Sequence, residues 1–135
     1  MASIIRKVTS VDSYIRALPS DHAVLALAAR ELLLDLHPDM KVTLKWQIPY
    51  YSCNGLLCGF VYYASTEQSG LLFARGPELS NDYGLLLAHS PGTPNRALTG
   101  TRLLLISNEA QLTSEVVLAS LHEAIQLNRQ KANKS

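Results

Sequence analysis

Charge is scarce in this sequence. Asp, Glu, Lys and Arg make up 17% of 135 residues, against roughly a quarter in ordinary globular chains. Twelve basic and eleven acidic side chains leave a formal net charge of +1, too little for the footprint of a dedicated nucleic-acid binder. Cysteine is nearly absent: Cys53 and Cys58 are the only two, so a disulfide scaffold is excluded. Aromatics are few, at 7% with a single tryptophan. Long apolar runs are missing too. The stretch Ala23 to Leu36 is broken by Arg30, Glu31 and Asp35 and falls short of the roughly 20 residues of a membrane span. The first residues, Met-Ala-Ser-Ile-Ile-Arg-Lys, place charge after the apolar pair, the reverse of a secretory leader. These features predict a cytoplasmic protein with reduced thiols, bound neither to membrane nor to nucleic acid. What is present is 47% hydrophobic residues, enough to build one core without staples. A single domain over residues 1–135 is expected, with residues 1–8 and 130–135 as loose arms.

The spacing of apolar residues predicts an α+β class. Thr9 or Ser10 can cap a short helix over Val11–Leu18, with Asp12 near its positive end. Pro19 stops it, and Ser20 or Asp21 caps a longer helix to about His37, ended by Pro38. Leu25, Ala28, Leu32 and Leu36 form its core stripe, and Leu27, Leu33 and Leu34 widen it to burial on more than one side. Beyond Met40 the period becomes two: Val42, Leu44 and Trp46 alternate with Thr43 and Lys45, as in a half-buried strand. Residues 49–54 and 56–64 read as a hairpin around Asn54-Gly55. Gly70–Arg75 and Arg102–Ile106 complete about five strands. Thr113 caps a final helix to about Arg129, with core face Val117, Leu121 and Ile125. Tight hairpins join antiparallel neighbours, so the sheet is expected to be antiparallel, packed against two N-terminal helices and one C-terminal helix.

The chain resembles the YdhG-like family of small domains from about Val11 to Asn128. The likeness is carried by Val11-Asp12-Ser13-Tyr14-Ile15-Arg16-Ala17-Leu18-Pro19 and by Leu44-Lys45-Trp46-Gln47-Ile48-Pro49-Tyr50-Tyr51-Ser52, where relatives often have Gly-Met-Pro for Gln47-Ile48-Pro49. Phe73-Ala74-Arg75-Gly76-Pro77-Glu78-Leu79 followed by Leu85-Leu86-Leu87 looks like a further family segment. Some members are described as frataxin-like iron chaperones, so the resemblance implies iron as a candidate cargo. It supplies no catalytic signature.

Candidate chemistry falls into four sets. Cys53 and Cys58 share a sheet face in either hairpin register and read as small apolar core residues rather than as half of a metal site. His22, His37, His89 and His122 are scattered, with His22 and His37 roughly 22 Å apart along one helix. Glu31 and Asp35 lie i,i+4 on one helix face with Asp39 beyond, a set of hard oxygen donors suited to iron. The fourth set is aromatic and basic. Tyr51, Arg75 and Arg96, with Trp46 and Arg102 beside them, could meet a small anionic ligand, although strand parity favours a core position for Trp46. The expected function is a binding domain for a small anionic ligand or a protein partner. The alternatives are an iron or other metal chaperone using Glu31, Asp35 and Asp39, and a homodimeric interaction protein. No nucleophile with its base and no cofactor loop is present, so an enzyme is the lesser expectation.

Overall fold

A computed structural model describes residues 9–91 and 98–133 of the chain. Helix α1 (Val11–Arg16) starts at Ser10, whose hydroxyl accepts from the Ser13 N–H while the Ser13 hydroxyl accepts from the Ser10 N–H. This reciprocal pair satisfies two donors that a helix start would otherwise strand. Helix α2 (Ser20–Leu36) begins directly after Pro19, and no side chain caps it. Pro19 itself stands at the cap position with φ −54° and ψ 149°, so Ser20 is the first helical residue rather than the cap.

Five strands follow: β1 (Lys41–Lys45), β2 (Ile48–Ser52), β3 (Leu56–Tyr63), β4 (Gln68–Phe73) and β5 (Arg102–Ile106). They lie side by side in chain order, every neighbouring pair antiparallel. The short helix α3 (Glu109–Leu112) and the long helix α4 (Glu115–Asn133) close the chain. The α+β class with an antiparallel five-stranded sheet is thus established, with two helices after the last strand instead of one. Thr113, expected to cap the last helix, ends α3. The Ser114 hydroxyl meets the Val117 N–H at 3.4 Å and does that work one residue later. Helix α4 continues through Asn133, so residues 130–133 are helical and not loose. No helix among the described residues is long and apolar enough to cross a membrane.

Opposed residues in an antiparallel ladder share a face. One face carries Tyr51, Cys58, Phe60, Leu71, Phe73, Leu104 and Ile106, and these join a single apolar cluster with Leu25, Ala26, Ala29 and Leu33 of α2 and with Val117, Leu121 and Ala124 of α4. A fully buried leucine or phenylalanine contributes roughly 1.5–3 kcal/mol, so this cluster needs no metal or disulfide. The α2 stripe is narrower than its leucine content suggests. Leu33 is fully buried, but Leu27 is 52% exposed and Leu34 is 37% exposed. Helix α2 packs against α1, α3 and strands β3 and β4, and Leu27 and Leu34 remain on its exposed side.

The opposite sheet face holds Tyr50 and Leu103, both buried but outside that cluster. The Tyr50 ring lies across Gly59, where an added Cβ would stand 2.9 Å from it, and its hydroxyl reaches the Leu72 carbonyl at 3.5 Å. Adjacent Tyr50 and Tyr51 point to opposite faces and are both buried, so the middle of the sheet is covered on both sides. Burial pushes the Tyr50 phenol up to about 12 and the Tyr51 phenol upward as well.

Two joints position the ends of the sheet. Residues Gly76–Glu78 form a tight helical turn. A Cβ on Gly76 would stand 2.4 Å from both the Arg102 N and Cβ, so only glycine lets this turn close onto the start of β5. The β2–β3 connection passes through Cys53, Asn54 (φ 55°) and Gly55 (φ 124°). It is longer than the two-residue Asn-Gly turn because a bulge follows Tyr51. Tyr51 still faces Cys58 as that turn would require.

Candidate functional site

At one end of the sheet, the first turn of α2, the start of β4, the end of β5 and the start of α3 enclose a cleft of about 430 Å3. Val24 and Leu25 give it an apolar wall, and its polar lining includes Asp21, His22, Glu67, Ser69, Asn108 and Glu109. Each polar group arrives for a local reason. Asp21 and Glu109 sit in the first turns of α2 and α3, where carboxylates answer the positive helix ends. Asn108 caps α3, its side-chain oxygen accepting from the Gln111 N–H at 3.1 Å. Glu67 closes the β3–β4 turn in a left-handed conformation, φ 51°.

His22 and Ser69 make the site more than a gap between elements. His22 Nδ1 stands 2.6 Å from Ser69 Oγ, and the imidazole lies 4.5 Å from the Tyr62 ring, tilted by 50°. Ser69 occupies an inward position of β4, in phase with Leu71 and Phe73, and is fully buried. A buried hydroxyl must be paired, and His22 is its partner. The ring is thereby held at one nitrogen and along one face. Either tautomer leaves Nε2 with one hydrogen-bonding function for a ligand, and no described residue occupies it. Among the described residues the lining contains three carboxylates and neither lysine nor arginine. Ser69 is too deeply buried to attack a substrate, so the pair positions an imidazole and does not present a nucleophile.

The described residues expected to bind an anion do not converge. Tyr51 is 1% exposed and belongs to the core cluster. Arg75 lies beyond the end of β4, with its guanidinium already engaged. Nε and Nη2 donate to the two Glu78 carboxylate oxygens at 2.7 and 2.6 Å, and Nη1 donates to the Leu127 carbonyl at 3.1 Å. The hydrogen bonds with Glu78 hold Arg75 above its ordinary pKa and Glu78 below its own. Arg102 donates to the Thr101 carbonyl at 2.7 Å and the Leu98 carbonyl at 3.4 Å, bracing the approach to β5. Arg96 lies outside the described residues. Trp46, expected in the core, is instead 68% exposed. Strand β1 ends at Lys45, and Trp46 and Gln47 form the two-residue turn to β2 with φ of 50° and 66°. The alternation that predicted burial stops one residue before it.

Glu31, Asp35 and Asp39 are all exposed. Among the described residues no group of three or more His, Cys, Asp or Glu side chains is placed to hold a metal ion, so these three do not form a cage. Cys53 and Cys58 are free and buried, and burial pushes both thiols up, helped at Cys53 by the charge of Asp39. Raised thiols are poor nucleophiles and poor metal ligands at neutral pH. Among the described residues, the His89 ring meets the neighbouring Ser90 carbonyl at 3.3 Å.

Ser69 lies one residue before the expected strand start at Gly70, inside the observed strand Gln68–Phe73. Extending the alternation of Leu71 and Phe73 back by two residues exposes the signal, a small hydroxyl at a core-facing position. Its pairing with His22, 47 residues away, has no sequence signature. Compared with known proteins, the chain matches no family model, no curated protein and no solved structure.

Proposed function

We propose that this chain is a binding domain that receives a small polar ligand carrying a positive charge, an ammonium or guanidinium group, in the His22 cleft. The observation that carries the reading is the imidazole fixed at Nδ1 by Ser69 within a cleft whose described lining holds Asp21, Glu67 and Glu109 and no lysine or arginine. Such a site offers one directional group from His22 and a negative field from the carboxylates. The anionic ligand suggested by the arginines is less well supported, because Arg75 is filled by Glu78 and Tyr51 is sealed in the core. Iron carriage through Glu31, Asp35 and Asp39 is less well supported for want of a converging set. Membership of the YdhG-like family and a reducing, cytoplasmic setting belong to the same proposal. The first is supported by the motifs quoted above, and the second by two unbridged cysteines.

Calorimetric titration with a panel of small amines, guanidines and carboxylates tests it. Saturable heat from an amine or guanidine, lost in His22→Ala and weakened in Glu67→Gln, is the expected result. Binding of carboxylates alone, or amine binding that both variants retain, would overturn it.

A further inference from the structure

We propose that the outer edge of β1 is a docking site for an extended acidic peptide, which adds to the sheet as a further strand and is anchored by Trp46. The two edges of the sheet differ. The outer edge of β5 is engaged: Leu87 exchanges both backbone hydrogen bonds with Leu103, at 2.7 and 2.9 Å. The outer edge of β1 is unpaired among the described residues. Lys45 and Ile48 flank the two-residue turn and pair with each other, and Thr43–Tyr50 and Lys41–Ser52 repeat the arrangement at alternate positions. The N–H and C=O groups of Val42 and Leu44 consequently point away from β2. No described residue hydrogen-bonds to them.

Side chains along this edge indicate the partner's charge. Lys41, Thr43 and Lys45 share one face, and both lysines are exposed. Edge lysines are a common guard against unwanted strand pairing, but a guarded edge does not by itself explain the tryptophan beside it. Trp46 is the most exposed large apolar residue described, and it occupies a left-handed backbone position, φ 50°. That conformation is unfavourable for a bulky L-residue. Its ring is nevertheless held, edge-on to Tyr50 at 5.5 Å and with Lys45 Nζ 5.3 Å from the indole centre. A rigid, exposed indole next to a lysine is the kind of anchor on which interface energy concentrates. Open backbone groups give affinity to an added strand, while alternate side chains give selectivity. Opposite charge on the peptide would meet Lys41 and Lys45. Two lysines at near-zero net charge do not make a phosphate-tracking groove, so the observations favour a peptide over a nucleic acid.

The single tryptophan reports on this site directly. The intact chain is titrated with a blocked peptide of about eight residues alternating Glu and Val, long enough to cover a typical strand, and indole emission is followed. A saturable blue shift is expected, together with slowed amide exchange at Val42 and Leu44. Lys41→Glu combined with Lys45→Glu should weaken binding by about tenfold or more. Val42→Pro removes one outward N–H without touching the β1–β2 ladder and should weaken it too, with circular dichroism confirming the fold. No shift, an equal response to the Lys–Val counterpart peptide, or quenching by oligothymidylate without a response to the peptide would each overturn the proposal.

Discussion

The side-chain amide of Asn128 donates to the main-chain carbonyl of Leu56 at 2.9 Å, across 72 residues of chain. The same nitrogen lies 3.3 Å from the carbonyls of Cys53 and Gly55. Helix α4 thus fastens the β2–β3 turn with one nearly buried polar residue, 3% exposed. Replacing Asn128 with Leu strands carbonyls that have little access to water, at roughly 1–3 kcal/mol for a buried unsatisfied group. Asn128→Leu should therefore lower unfolding stability by about 2 kcal/mol. Asn128→Asp should lower it further at neutral pH, because a carboxylate would face carbonyl oxygens. Urea denaturation measures both.

The β1–β2 turn carries strain that can be relieved. Gln47 adopts φ 66°, a region that glycine enters without the steric penalty of an L side chain. Gln47→Gly should raise stability by about 1 kcal/mol, the relief of that penalty less the added freedom of the unfolded chain. Thermal unfolding reads the change. A fall in stability would show that the Gln47 side chain contributes more than its backbone costs.

Buried phenols make the alkaline limit steep. Burial raises Tyr14 and Tyr50 from 10.0 to about 12, and Tyr51 moves in the same direction. The folded chain therefore holds these protons more tightly than the unfolded one. The contribution to stability is complete below pH 10 and is lost as pH rises through about 12. Denaturation midpoints should hold up to pH 10 and then fall. Tyr14→Phe should flatten that fall, and it should also cost about 1 kcal/mol at neutral pH because the Tyr14 hydroxyl accepts from the Tyr62 N–H at 3.2 Å.

Much of the architecture was legible because it depends on short-range pattern. The last strand, Arg102–Ile106, has the expected bounds, and of the two expected caps, Thr9 and Ser10, it is Ser10 that caps α1. Expectations failed where a polar residue sits at an apolar position, or an apolar one at a polar position. Asn128 follows Val117, Leu121 and Ala124 on the buried face of α4, yet nothing local says which carbonyls it serves. Trp46 continued the alternation of Val42 and Leu44 in sequence, but the turn takes it out of the strand. The arginine grouping failed for a related reason. Arg75 and Glu78 are three residues apart and satisfy each other, which sequence spacing allows but does not require. Ser69 and His22 meet only through the fold.

The His22 cleft is tested most directly by nuclear magnetic resonance of the isotope-labelled chain during titration with a small amine such as agmatine. The His22 ring nitrogens and the backbone amides of Glu67, Asn108 and Glu109 should shift together and saturate, with Trp46 unchanged. Shifts that gather around Arg75 or Trp46, or a His22 ring that does not respond at saturating amine, would contradict the assignment.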